Sequence, residues 1–534
     1  MATAVAGGGQ PGAKAAPVPW VIAPVVALAA FMEVLDIAIA NVALQHIAGN
    51  LGASGDEATW VLTSYLVTNA IVLPVSGWLA TVVGRKRFFM MCIAGFSVAS
   101  LLCGMAPTLT VLILCRALQG LTGGGLQPLA QAILADAFPP AQRGIAFGFY
   151  GMAVVAAPAI GPTLGGWITD NLDWRWVFLI NVPVGAVLLL LAQRMVHDPP
   201  ALVAERARRL REGVRIDYIG FALLTLGLGM LQVVLDRGQQ DDWFGSSFIT
   251  ACALVSLVAV LYFVAWELAS DDPIVDLRLL ANRNFATANL LMFMLGFILL
   301  GSTALLPQLV QTLMGYTATQ AGMVLSPGGF AIIFLMPVVG RMVTKVDPRL
   351  MIAGGLVVCS AALWRMSGFT LGVDYRTVAE ARIVQAVGLA FLFIPISTTA
   401  YVGLPPGKSN NASALINLSR NLGGSVGISL LTSLLARREQ FHQVRLADHM
   451  GAYDPEVVAR LGALQHRFAA AGFSTGEALD RARATLAHML DSQVRMLAYV
   501  DAFWLLAVAF AAMLPVVLLM RRPPRGQGGA AGAH

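Results

Sequence analysis

At 534 residues, 57% of them hydrophobic and only 12% charged, with a mean hydropathy of +0.73, the chain has too little charge to cover a soluble protein of its size. Its net charge of +6 does not mark a nucleic-acid footprint, because the basic residues are spread along the short loops on one side of the apolar runs. A soluble enzyme and a nucleic-acid-binding protein are therefore excluded, and an all-α membrane protein is expected.

The apolar residues come in runs long enough to cross a hydrocarbon core of about 30 Å. Fourteen spans are expected, near 21–43, 58–80, 88–106, 109–134, 144–168, 175–195, 217–236, 247–268, 285–310, 319–342, 350–369, 377–401, 411–436 and 496–520. Residues 1–20 precede them as a Gly/Ala-rich tail, and 521–534 follow as a second tail. With the amino terminus inside, short outside loops and their flanks carry only Arg175, Arg237, Arg365 and Arg376, so both ends are expected in the cytoplasm. The first apolar run is too long for the core of a cleaved leader.

Span one holds two carboxylates, Glu33 and Asp36, three residues apart and so on one helix face. An intramembrane carboxylate is costly unless it is paired, protonated or wet, and it marks function by default. Two so close repel, which suits one of them to proton exchange. The alternatives are a static ion pair and a solvated vestibule. Span two closes on GWLATVVGRKR (77–87), whose basic cluster Arg85, Lys86 and Arg87 reads at least as an inside anchor.

Span four carries Arg116, a charge that working pH does not remove, in RALQGLTGGG (116–125). Coupling to a carboxylate and structural bonding to backbone carbonyls are both open to it. Span five is lined with small and helix-bending residues: Gly148, Gly151, Pro158, Gly161, Pro162, Gly165 and Gly166, the last four within GPTLGG (161–166). Such a surface lets helices approach closely and lets the axis bend.

Residues 197–216 are rich in arginine with interspersed Leu and Val, an interfacial amphipathic pattern. The second half's membrane region carries Glu380, Arg382 and Arg420, and span thirteen repeats the glycine surface with Gly423, Gly424 and Gly427. Residues 437–494 form a long outside loop of helix-compatible composition. Cys92, Cys103, Cys115, Cys252 and Cys359 all fall inside spans, with neither metal-site nor disulfide spacing. No metal or cofactor is implied, and no Gly-x-x-x-x-Gly-Lys-Ser/Thr loop for ATP is present.

Self-similarity divides the chain. Pro74 and Gly77 match Pro337 and Gly340, Arg116 and Gln119 match Arg382 and Gln385, and Pro128 matches Pro395, all in order at nearly constant offset. The repeat unit is six helices, so the expected plan is a first half over 21–196, a linker over 197–216, two inserted helices and a loop over 217–284, and a second half over 285–520. A duplication of this kind puts the transport path between the halves, near the bilayer midplane.

The loop GWLATVVGRKR resembles the signature between helices two and three of the major facilitator superfamily, and RALQGLTGGG and GPTLGG resemble its fourth- and fifth-helix motifs. With LDIAIANVAL (35–44), WRWVFLINVPVG (174–185), LDRGQQDDWF (235–244) and LPPGKSNNASALINLSRNLGGSVG (404–427), the chain resembles the EmrB/QacA-type drug:proton antiporters, the fourteen-span branch. The resemblance covers nearly the whole chain. It implies efflux of hydrophobic and amphiphilic toxic compounds from the bacterial inner membrane, driven by proton entry, without nucleic acid or cofactor.

It also implies roles. Asp36 lies in a family motif and is favoured as proton carrier. The superfamily fold brings helices one and four together, so Glu33 or Asp36 is expected beside Arg116. Gly151, Pro158, Gly161, Pro162, Gly165 and Gly166 become a gate or hinge. Gly77, Gly84, Arg85 and Arg87 form a cytoplasmic latch; where the family often has an acidic residue this chain has Thr81, which shifts the latch towards Asp136. A polyspecific cavity is expected around Met32, Asn41, Gln127, Gln131, Phe149, Met152, Phe293 and Phe393, all of which also fit plain helix packing. The long loop is expected to dock a periplasmic membrane-fusion adaptor and, through it, an outer-membrane channel; a solvated cap is the alternative. A proton-coupled uptake symporter and a non-transport membrane sensor are the other functional readings.

Overall fold

The computed structural model describes residues 19–213, 217–405, 407–448, 450–451 and 453–520; most of the first expected tail, the second tail and part of the 197–216 linker lie outside them. Every regular element among the described residues is a helix. A helix bonds its own backbone and asks lipid only for apolar side chains, so the apolar runs of this chain have one economical form.

Among the described residues, thirteen helices are long and apolar enough to cross a membrane. The first half begins with α1 (Pro19–Leu51), α2 (Trp60–Val83) and α3 (Arg85–Gly104). Helix α4 runs from Leu109 to Gly123 and resumes as Leu126–Ala137, the break falling in the run of three glycines that the fourth-helix motif contains. Then come α5 (Pro140–Asn171) and α6 (Asn181–Met195). Pro158 and Pro162 lie inside α5, which nonetheless stays continuous. The arginine-rich segment forms α7 (Pro200–Glu212), followed by the pair α8 (Tyr218–Arg237) and α9 (Ser247–Ala269).

The remaining long helices are α10 (Arg283–Met314), α11 (Ala318–Met342), α12 (Pro348–Met366), α13 (Tyr375–Ala400), α14 (Ser409–Ala447), α15 (Pro455–Ala470) and α16 (Thr475–Ala512). The expected span at 411–436 falls within α14, which is not among the thirteen apolar helices. The reason is its inward face: Asn410, Ser413, Asn417 and Arg420 are all buried, and polar side chains turned to neighbouring helices lower its hydropathy.

The expected loop at 437–494 is helical over most of its length. Helix α14 runs on to Ala447, α15 follows, and α16 starts at Thr475, with α15 packed on α16. His442 and Asp501 join α14 to α16 at 2.8 Å.

Two close contacts organise the interior. Helix α5 packs on α1 and on α11, and the glycines of α5 make both approaches possible: Gly161 and Gly165 meet Ala38 and Ile39 of α1, while Gly144 meets Gly340 and Gly166 meets Thr319 of α11. On the other side α2 packs on α14, where a Cβ on Gly77 would stand 2.8 Å from Asn411 Oδ1. Side chains longer than hydrogen would push these helices apart.

Candidate functional site

Helix α1 carries Glu33 and Asp36 into the interior, each 1% exposed. Their surroundings are separate. Asp36 accepts from Arg116 Nη1 at 2.6 Å, from Gln119 Nε2 at 3.0 Å and from Asn181 Nδ2 at 2.6 Å, so donors from α4 and α6 cover both oxygens. Arg116 also donates to Gln119 Oε1 at 2.7 Å and to the Val61 carbonyl at 3.1 Å, and its guanidinium lies 4.5 Å from the Tyr65 ring centre. Both readings of Arg116, carboxylate partner and backbone donor, describe bonds that it makes.

Glu33 faces elsewhere. Its Oε1 accepts from Asn69 Nδ2 at 2.9 Å and from Tyr65 Oη at 3.5 Å, both on α2. Its Oε2 is buried and has no hydrogen-bond partner among the described residues. The Gln127 side chain of α4 lies close to the Glu33 carboxylate as a donor and Arg420 of α14 lies within its electrostatic reach, and Arg420 Nη2 donates to Gln127 Oε1. One turn along α4, Gln131 Oε1 accepts from Asn417 Nδ2 at 2.6 Å, and Tyr150 Oη of α5 donates to Asn417 Oδ1 at 2.9 Å. The Phe393 ring stands 5.9 Å from Tyr150 and fills the space over Gly151. Glu33, Gln127, Gln131, Tyr150, Asn417 and Arg420 thus form one buried polar cluster linking α1, α4 and α5 to α14.

Met32 is buried beside this cluster's helices, and Phe149, Met152 and Phe293 are half-buried. Asn41 is exposed near the far end of α1, so the structure does not bring it into the cluster. Tyr65, Asn69, Tyr150, Asn181 and Asn417 were not singled out from sequence. Their signal was available as polar groups inside apolar runs, but such groups bond neighbouring helices far more often than ligands.

The latch residues gather at the opposite end of α2. Gly84 takes a φ of +99°, a conformation that favours glycine, and turns α2 into α3. Arg85, 2% exposed, then reaches Asp136 at 2.7 Å, Asn410 Oδ1 at 2.7 Å, Ser409 Oγ at 3.1 Å and the Ala132 carbonyl at 3.3 Å. Ser409 Oγ also donates to Asp136 at 2.8 Å. Thr81 bonds its own helix at the Gly77 carbonyl, and Arg87 is exposed. The arginine therefore joins α3 and α4 to the start of α14.

Buried carboxylates, one of them paired with an arginine, and apolar helices in contact along glycine surfaces suit a membrane carrier. Residues 26–428 match the model of the Major Facilitator Superfamily. The chain belongs to that superfamily. It is a transporter and not an enzyme. It is 38% identical over 509 residues to the multidrug export protein EmrB of Escherichia coli (strain K12), covering 95% of this chain and 96% of that one. To the fatty acid resistance protein FarB of Neisseria gonorrhoeae it is 37% identical, covering 97% and 99%. Among solved structures it resembles the proton:xylose symporter XylE, with a TM-score of 0.57 at 13% identity over 93% and 96% of the two chains. The human organic anion transporter MFSD10 gives a TM-score of 0.56 at 13% identity over 92% and 100%. Those two likenesses establish the fold alone.

Proposed function

We propose that this protein exports hydrophobic and amphiphilic toxic compounds across the bacterial inner membrane in exchange for protons, by alternating access. The names of its relatives, multidrug export and fatty acid resistance, supply the cargo class. Helix α14 is counted as a span, the thirteenth in chain order, which brings the total to fourteen. Its 39 residues reach about 58 Å, and its polar face is turned inward. The plan is then two six-helix halves, 21–196 and 285–520, with α8 and α9 inserted, both termini cytoplasmic and the α15 hairpin outside. Lys and Arg asymmetry supports that orientation.

In this reading Glu33 carries the proton. The observation that bears it is the unpartnered, buried Oε2 of Glu33 at the place where the halves meet. A proton on Asp36 would remove the charge that pairs with buried Arg116 at 2.6 Å, whereas the donors bonded to Glu33, Asn69 and Tyr65, are neutral. Asp36 therefore fixes Arg116 and orients α1 against α4 and α6, a positioning role. Protonating Glu33 would release Gln127 and Arg420 from its field, loosening the cluster between the halves. Arg85 with Asp136, Asn410 and Ser409 closes the cytoplasmic end, and the glycines of α5 act as the sliding surface. Phe393, Met32, Phe149 and Met152 offer the re-packable wall that unlike cargoes need. The hairpin of α14, α15 and α16 is assigned to a periplasmic adaptor leading to an outer-membrane channel.

The test is proton flux in proteoliposomes on adding a lipophilic dye. Wild type is expected to move protons only with dye present. Glu33→Gln is expected to bind dye and to lose the proton movement. Normal coupling in Glu33→Gln would remove Glu33 from the mechanism.

A further inference from the structure

The arginine cluster of α4 has a counterpart on α13, and the counterpart is missing its carboxylate. Arg116, Gln119 and Asp36 correspond to Arg382, Gln385 and Ser302, each pair 266 positions apart. The bonds correspond too. Arg116 Nη1 donates to Gln119 Oε1 at 2.7 Å, and Arg382 Nη1 donates to Gln385 Oε1 at 2.7 Å. Gln119 Nε2 then reaches Asp36 at 3.0 Å, whereas Gln385 Nε2 reaches the hydroxyl of Ser302 at 2.9 Å. Arg382 Nη2 donates to Thr303 Oγ1 at 3.2 Å, and its Nε is buried without a partner among the described residues.

No side chain nearby supplies the negative charge. Helix α13 packs on α12, α11, α10 and α5. Helices α10, α11 and α12 contain neither Asp nor Glu. The one carboxylate of α5, Asp170, accepts from Thr319 near the helix end at 2.9 Å, and the one of α13, Glu380, is exposed and bound by Arg365 and Arg376. Arg382 is 1% exposed. A guanidinium cannot shed its proton at working pH, and an unneutralised charge at such depth is costly.

We propose that Arg382, with the hydroxyls of Ser302 and Thr303, holds one small monovalent anion of the halide class where the first half holds the Asp36 carboxylate. The donors at hand are the unpartnered Arg382 Nε, the Gln385 amide, and the Ser302 and Thr303 hydroxyls, which donate to the Leu299 carbonyl at 3.2 and 2.7 Å and would turn from it to the ion. One guanidinium charge suits a singly charged ion, and a doubly charged oxyanion would leave a net negative charge. The anion completes the second half's copy of the cluster and keeps α10 against α13.

The full-length protein in detergent tests this by thermal unfolding at constant ionic strength, with chloride replaced stepwise by gluconate. Wild type is expected to unfold about 5 °C higher in chloride, with saturation. Ser302→Asp supplies the charge covalently, so its unfolding temperature is expected to be the same in both anions and to match that of wild type in chloride. Arg382→Gln removes the demand and is likewise expected to be insensitive, which keeps the test open if Ser302→Asp misfolds. Equal wild-type unfolding in the two anions would overturn the proposal. So would a chloride response that rises without saturating, or one that both variants keep unchanged.

Discussion

Glu33 and Asp36 stand one turn apart on α1, equally buried, and the structure treats them oppositely. Asp36 is enclosed by donors from α4 and α6, all within residues 1–196, and no oxygen is left over. Glu33 has one oxygen bonded to α2 and the other free of partners, and it looks across to Gln127 and Arg420. Burial is the same, so burial does not assign their roles. What separates them is how many donors each has and whether those donors move with it. A carboxylate bonded only within its own bundle keeps its surroundings when bundles shift. One that faces a neighbour's arginine does not.

The largest expected effect breaks the fixed member of the pair. Asp36→Asn leaves Arg116 buried without a counter-charge, which typically costs about 3–5 kcal/mol. The purified variant should unfold well below wild type. Glu33→Gln should change unfolding by less than about 1 kcal/mol, because only one amide and one phenol bond are disturbed. If the two variants unfold alike, the distinction between a structural and a mobile carboxylate fails. Next in size is the repair. Replacing both partners with apolar groups, Asp36→Leu with Arg116→Met, should recover most of the loss, since buried ion pairs contribute little net stability over good packing. Unfolding of the double variant no higher than that of Asp36→Asn would place the cost of the single variant elsewhere.

Much of this architecture was legible in sequence, for reasons that differ by element. Thirteen spans declared themselves because hydrocarbon demands about twenty apolar residues from each. The expected span at 411–436, within α14, is not among them, since its buried Asn417 and Arg420 spend its hydropathy on contacts that only the fold reveals. The pairing of Arg116 with a carboxylate of α1 was foreseeable from the family resemblance, but which carboxylate was not. Residues three apart share a helix face, yet a few tens of degrees about the axis decide whether α4 or α14 is met. The match of Asp36 to Ser302 was also within reach of the repeat. It went unseen because a serine in an apolar run looks like packing until its arginine is known to be alone.

A smaller effect sharpens the comparison from the latch end. Asn410→Ala removes a charge-assisted bond to Arg85, worth about 1.5–3 kcal/mol. The halves should then part more often, and proton leak without dye should rise by about tenfold in proteoliposomes. Combining it with Glu33→Gln should abolish that extra leak, because the leak passes through the carboxylate that faces the opening. Leak that survives in the double variant would mean that protons take a route away from Glu33.

The smallest expected effect lies just past the far end of α1, where a third carboxylate shows what donors do in open water. Glu57 caps the turn between α1 and α2 by accepting from the Ser54 amide and hydroxyl, each at 2.9 Å, while its own amide donates to Ser54 Oγ at 3.2 Å. Those bonds, from the Ser54 amide first and its hydroxyl second, hold the Glu57 carboxyl below its ordinary value. A depressed acid contributes its stabilisation above the unfolded value, about 4.3, and loses it as pH falls through the folded one. Amide protection over 55–58, measured relative to the intrinsic exchange rate at each pH, should therefore be highest at neutral pH and fall in acid, and Ser54→Ala should lower it throughout. Coupling through Glu33 should be untouched. Donors around an exposed carboxylate secure a local turn; donors withheld from a buried one leave it free to take a proton. A Ser54→Ala variant that lost dye-dependent proton movement would show that the loop and the interior are not independent, and the contrast between Glu33 and Asp36 would then need the outer end of α1 as a third term.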